Sequence, residues 1–182
     1  MKNLNFIFSK KIILLGILFA AHSLVFCQTV QEFNEQLVLL EGSSDPILIL
    51  ESARLNNLVK DVQPTLYCKS TGILENTDIS TPPLRVVSNS STIIQLYDNI
   101  PIYNSVELIC IKVESLADLN TVIDIAGLTG FTNLKYIYFL CSVKICPELM
   151  DDISCEKNKI IAMIQNYGTP GLRIIYKSTI NE

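Results

Sequence analysis

Cys141, Cys146 and Cys155 form the densest grouping of reactive side chains in the sequence, with Pro147 favouring a turn among them. Cys68 and Cys110 stand apart. Past Cys27 the cysteines are odd in number, so at most two bridges form within the chain and one thiol is left over. The spacing predicts a disulfide inside the 141–155 cluster. A metal reading of the same trio would need a C-x-x-C pair or a histidine, and Asp151 and Asp152 alone do not complete a ligand set. No metal and no cofactor are expected.

Catalytic chemistry is narrowed further by what is missing. The single histidine, His22, falls in the leading segment 1–27, so the remainder, 28–182, cannot assemble a Ser-His-Asp or Cys-His site. Ser154-Cys155-Glu156-Lys157 has the S-x-x-K spacing of a serine nucleophile paired with lysine, yet the partner motifs S-D-N and K-T-G are absent. Ser154 therefore reads as the N-cap of the last helix. Gly127-Leu128-Thr129-Gly130 is too short to cradle a phosphate and reads as a turn. Glu114, Asp118, Asp124, Glu148, Asp151 and Asp152 could supply paired carboxylates, but no spacing singles out two of them. The expectation is a chain with no catalytic residues; a carboxylate-based hydrolase acting on an extracytoplasmic substrate is the alternative.

The leading segment 1–27 carries Lys2, Lys10 and Lys11, then an apolar stretch from Ile12 to Ala21, then Leu24-Val25-Phe26-Cys27. That is the three-part layout of a secretory signal. Ile12 to Phe26, interrupted by His22 and Ser23, falls short of the about 20 apolar residues that a permanent span needs. Cleavage after Cys27 would release a secreted or periplasmic protein. Cleavage before Cys27 would leave a lipid anchor on that cysteine, although Phe26 stands where the lipoprotein motif takes a small residue. No membrane span is expected once the signal is removed. With its three lysines gone, 11 of the 14 basic residues face all 18 acids, a net charge of −7. The cations are scattered singly, and Asn89-Ser90-Ser91 is a glycosylation sequon. Phosphate neutralisation needs the opposite balance, so no nucleic-acid partner is expected.

The elements that must position these groups follow from periodicity. Thr29-Val30-Gln31-Glu32 has the capping-box form, and Val30, Phe33, Leu37 and Leu40 recur on one helical face, predicting an amphipathic N-terminal helix over 30–41. Gly42 to Pro46 stops it, and Ile47 to Lys60 is compatible with strand or helix. One pattern then repeats at Leu84, Val106, Leu134 and Leu172, with a poorer copy at Leu66-Tyr67-Cys68-Lys69. Successive starts are too widely spaced for hairpins and suit crossovers between parallel strands. The reading is a single α/β domain over 28–182, with 28–63 as helical cover and 64–182 as a short parallel β-sheet with crossover helices. A capping box at Ser115 to Asp118 and a last helix from Glu156 to Tyr167 sit in the connectors, and the final strand is expected at an edge.

Leu128-x-x-Phe131-x-x-Leu134-x-x-Ile137-x-Phe139, with Val106, Ile109 and Ile111, resembles the leucine-rich repeat. Thr92, Glu114 and Ser142 stand where that family carries a buried asparagine or cysteine, so the resemblance is to a short, irregular repeat domain of a bacterial secreted protein. The resemblance implies a protein-binding surface rather than an enzyme. If Val87, Ile109, Ile111, Ile137, Phe139 and Ile175 face the crossover helices, alternation sends Val86, Leu108, Cys110, Tyr136, Tyr138, Leu140, Ile174 and Tyr176 to the other side. Both sides are apolar, as in sheets covered twice. Either the N-terminal helix folds over the second side, or Leu108, Tyr136, Tyr138 and Tyr176, flanked by Lys112, form a face for another protein.

Overall fold

Runs of valine, isoleucine, tyrosine and phenylalanine pack well on a pleated surface, and here they build the centre of the molecule. The computed structural model describes residues 30–72, 74–76, 80–146, 152–166 and 171–179; the leading segment and its Cys27 lie outside them. Among the described residues the strands are β1 (Val30–Glu32), β2 (Thr65–Cys68), β3 (Leu74–Asn76), β4 (Arg85–Asn89), β5 (Leu108–Val113), β6 (Ile123–Asp124), β7 (Tyr136–Cys141), β8 (Ile164–Gln165) and β9 (Arg173–Ser178). Seven make one sheet in the order β1-β9-β7-β5-β4-β2-β3, and β6 pairs with β8 separately. Only β2 and β3 are antiparallel, so six strands of the main sheet run parallel. The four repeated segments and their poorer copy are all extended, side by side and pointing the same way.

The N-terminal region departs from the helical expectation at its start. Val30 to Glu32 pairs with Ile174 to Tyr176, and this moves β9 from the expected edge to the interior. Helix α1 (Phe33–Glu41) starts only afterwards, because Glu32 rather than Thr29 serves as its N-cap: the carboxylate accepts from the N–H of Asn34 at 2.7 Å and of Glu35 at 3.0 Å. Ile47 to Leu50 belongs to helix α2 (Pro46–Lys60). Asp45 accepts from the Ile47 N–H at 2.9 Å, and Pro46, whose fixed φ suits a first helical residue, leads the helix.

The crossovers are tighter than the expected helices. Ile93–Tyr97 and Pro101–Ser105 are 3₁₀ turns between β4 and β5, and Leu116–Asn120 and Ile125–Gly127 lie between β5 and β7. The Ser115 to Asp118 capping box is formed, and its helix is a single 3₁₀ segment. A Cβ on Gly127 would come within 2.9 Å of the Tyr97 ring, and one on Gly130 within 3.0 Å of the Asp98 carbonyl oxygen, so this glycine pair marks a closely packed turn. Among the described residues between β2 and β9, α-helix occurs in the last connector, as α3 (Asp152–Ala162). It ends short of Tyr167 and contains Ser154 within its first turn, so that serine is not the N-cap. A disulfide joins Cys146, just after β7, to Cys155 of α3, and Cys141 remains a buried thiol in β7.

From β2 through β4, β5 and β7 to β9 the chain advances across the sheet in one direction, and crossovers of one hand then fall on one face. They do: Leu66, Val86, Ile109, Ile111, Ile137, Phe139 and Tyr176 pack with Leu96, Tyr103, Phe131 and Ile160 of the connectors. Tyr103 and Phe131 stack with ring centroids 4.4 Å apart. The return from β1 to β2 takes the opposite face. There Phe33, Leu37 and Leu40 of α1 and Leu55 and Leu58 of α2 cover Val87, Leu108, Tyr136, Tyr138 and Ile175.

Helix α2 lies across the amino-terminal ends of the strands, held by charged contacts. Arg54 makes two hydrogen bonds to Glu107, at 2.8 and 3.1 Å, and Lys135 adds a third at 3.1 Å. Arg173 grips Glu51 at 2.7 and 3.0 Å, the Tyr136 hydroxyl donates to the same carboxylate at 3.1 Å, and Arg85 donates to the Leu58 carbonyl at 3.1 Å. Among the described residues no helix is long and apolar enough to cross a membrane. Together with the disulfide, this is compatible with an extracytoplasmic location.

Candidate functional site

Helix α1 covers the β9–β7 side of its face and α2 covers the amino-terminal edge, which leaves one corner of the sheet uncovered. The corner is a recess of about 340 Å³. Its floor is Tyr67, Val87, Leu108, Cys110, Tyr138 and Leu140, its side walls include Phe33 and Val59, and it runs along the face from Arg85 and Leu108, which open β4 and β5, to Lys112, Lys177 and Thr179 at the carboxyl-terminal ends of β5 and β9. Its far end thus lies at the side of a parallel sheet where open α/β folds receive ligands. A smaller cleft of about 120 Å³ adjoins it, sharing Tyr67, Val87 and Lys112 and adding Ser88, Asn89, Thr92 and Glu114. In that cleft the side chains serve mainly one another: Ser88 and Thr92 hydroxyls lie 2.9 Å apart, and Asn89 Oδ1 accepts from the N–H and hydroxyl of Ser91.

Each cation of the larger recess is placed by a different element. Lys60 ends α2, and its ammonium lies 5.5 Å from the Phe33 ring centroid, within range of a favourable cation–π contact. Arg85 opens β4 and is tied to the Leu58 and Val59 carbonyls and the Thr65 hydroxyl, so it forms wall rather than mouth. Lys112 and Lys177 are the penultimate residues of β5 and β9, half-buried. Among the described residues no carboxylate lines the recess. Burial pushes the Cys110 thiol up to about 11, against the opposing pull of Arg85 and Lys112, so it is protonated at neutral pH and a poor nucleophile.

The five residues expected to form a partner-binding face are not brought together as an open strip. Leu108, Tyr136 and Tyr138 lie beneath α1 and α2, with Leu108 and Tyr136 fully buried and the Phe33 and Tyr138 rings 5.9 Å apart. Tyr176 is buried on the opposite face, among the connectors. The cause is strand phase: Val87 is in register with Cys110, and Ile175 with Tyr138, so Val87 and Ile175 exchange sides with Val86, Ile174 and Tyr176. Leu108, Lys112 and Tyr138 line the recess, and Tyr136 and Tyr176 do not. Lys60, Arg85 and Lys177 join them from separate segments, and no spacing in the sequence links these three.

The cysteine cluster does contain a bridge, between Cys146 and Cys155, with Cys141 outside it. Of the six candidate carboxylates, Asp124 accepts from the Ala126 N–H, and Asp118 accepts from the Ser90 hydroxyl and the Glu114 and Ser115 N–H groups. Glu114 lines the smaller cleft, while Glu148, Asp151 and the Asp152 side chain lie outside the described residues. Among the described residues neither recess joins two carboxylates. Nor do three His, Cys, Asp or Glu side chains gather among them as a metal site would require. Comparison with protein-family models, with curated proteins and with solved structures finds no match to this chain.

Proposed function

We propose that the chain is a non-catalytic binding module of an extracytoplasmic compartment, and that the corner recess is where it receives a compact group of its partner. The observation that carries this reading is the incomplete cover of one sheet face: α1 and α2 bury the rest of that face and leave Tyr67 and Leu140 only half-buried over an otherwise apolar floor. A recess of about 340 Å³ falls at the small end of ligand pockets, which run from roughly 300 to 1,000 Å³ and are mostly apolar with a few placed polar groups. The lysine-bearing apolar leader and the Cys146–Cys155 bridge support export, either freely released or tethered through a lipid on Cys27.

A screen of small organic solutes against the isotopically labelled protein tests the reading. Solutes that bind should shift amide resonances of Tyr67, Cys110 and Leu140 together, and Leu140→Trp, which fills the recess, should abolish those shifts. Binding that maps to other parts of the surface, or that survives Leu140→Trp unchanged, would remove the recess from consideration.

A further inference from the structure

We infer that the corner recess selects a small amphipathic anion: one negatively charged head on an apolar body of roughly ten carbon atoms, a size matched to the small end of ligand pockets. The inference rests on the reading of the recess as a ligand seat and adds the charge and size of what sits there.

Its basis is a contrast of sign. The whole chain is acidic, with 14 basic against 18 acidic residues, and the cations at positions 60, 85, 112 and 177 are far apart in sequence. Yet the fold converges Lys60, Arg85, Lys112 and Lys177 on this one apolar hollow, and no described carboxylate lines it. Arg85 is engaged by backbone carbonyls and adds positive potential without reaching out. Lys112 is the group suited to meet a head: it lies in register between Asn89 of β4 and Leu140 of β7, with Cys110 of the same strand in the floor. A ligand that displaces water here strips hydration from that ammonium. A neutral apolar ligand would leave it without compensation, and a cation would meet like charge. An anion with an apolar body covers the floor and compensates the ammonium in one step, and a charge-assisted hydrogen bond there is stronger than in open water.

The purified protein is titrated calorimetrically with decanoate, decanol and decylammonium, three probes sharing one apolar body. Decanoate should bind about tenfold more tightly than decanol, and decylammonium weakest of all. Raising salt from about 0.02 M to about 0.5 M should erase most of the decanoate advantage and leave decanol unchanged. Lys112→Glu should remove the preference for decanoate; should that variant fail to fold, Lys112→Gln and the salt series on the parent protein decide the matter. Equal affinity for decanoate and decanol overturns the charge selection while leaving the recess as a ligand seat. Absence of binding by all three overturns the inference and the seat together.

Discussion

Burial raises the Cys110 and Cys141 thiols to about 11 and about 12, and it raises Cys68 as well. In an unfolded chain such thiols ionise at about pH 8.5. Between those values the folded state carries more protons than the unfolded one, so the stability these groups contribute is complete below about pH 8.5 and is lost as pH rises toward about 11. Tyr103, Tyr136 and Tyr176, all raised by burial, extend the decline above about pH 10. Denaturant midpoints of the parent protein should fall measurably between about pH 8.5 and about pH 10, and the Cys110→Ala/Cys141→Ala double variant should be flatter over that interval; identical slopes would refute the assignment. At this scale the sequence is partly readable. A bridge somewhere within the Cys141, Cys146 and Cys155 cluster follows from cysteine crowding, whereas its pairing, Cys146 with Cys155, does not, and alternation alone puts Val87 and Tyr176 on the wrong faces. Strands apolar on both sides carry no polar alternation from which to read their phase, and hydrogen-bond register with distant strands decides it.

Helix α2 is fixed to the sheet at its amino-terminal edge by two paired contacts, Arg54 with Glu107 and Arg173 with Glu51. Glu107 is the better buried carboxylate, and hydrogen bonding to Arg54 draws its pKa down against the opposing effect of burial, with help from Lys135. A carboxylate lowered in this way stabilises the fold at pH values above its unfolded pKa, about 4.3, and the contribution disappears as pH falls through the folded value. Glu107→Gln should cost about 1–2 kcal/mol at pH 7, the lower end reflecting solvent screening around Arg54, which is more than a third exposed. Its stability should also decline less than the parent's between about pH 4.5 and about pH 3. Urea titrations at those pH values check both statements, and parallel acid profiles for parent and variant would contradict them. The start of α2 is ambiguous in the sequence, where Ile47 to Leu50 fits strand as well as helix, and the Asp45 cap with its first-position Pro46 decides for helix. The short β1 is not legible there, because its pairing partner, β9, lies at the far end of the sequence.

The parallel order of the main sheet is foreseeable from connection lengths alone, since the gaps between Leu84, Val106, Leu134 and Leu172 demand crossovers. The recess is not, because it is the part of one face that two helices fail to cover, and its cations come from α2, β4, β5 and β9. Across the whole molecule the most consequential pairing is that of the first strand with the last. β1 lies against β9, and Arg173 at the start of β9 binds Glu51 of α2. A chain cut just before Gly171 would strip a partner strand from β1 and β7 and leave Glu51 without its guanidinium. Such a truncation should show no cooperative thermal transition by circular dichroism; a sharp transition would mean that the remaining strands suffice. Two segments far apart in sequence, 30–32 and 173–178, are thus needed to lock the same seam. Whether it emerges from a ribosome or threads a narrow channel, the molecule cannot close that seam before residues 173–178 are free to receive residues 30–32.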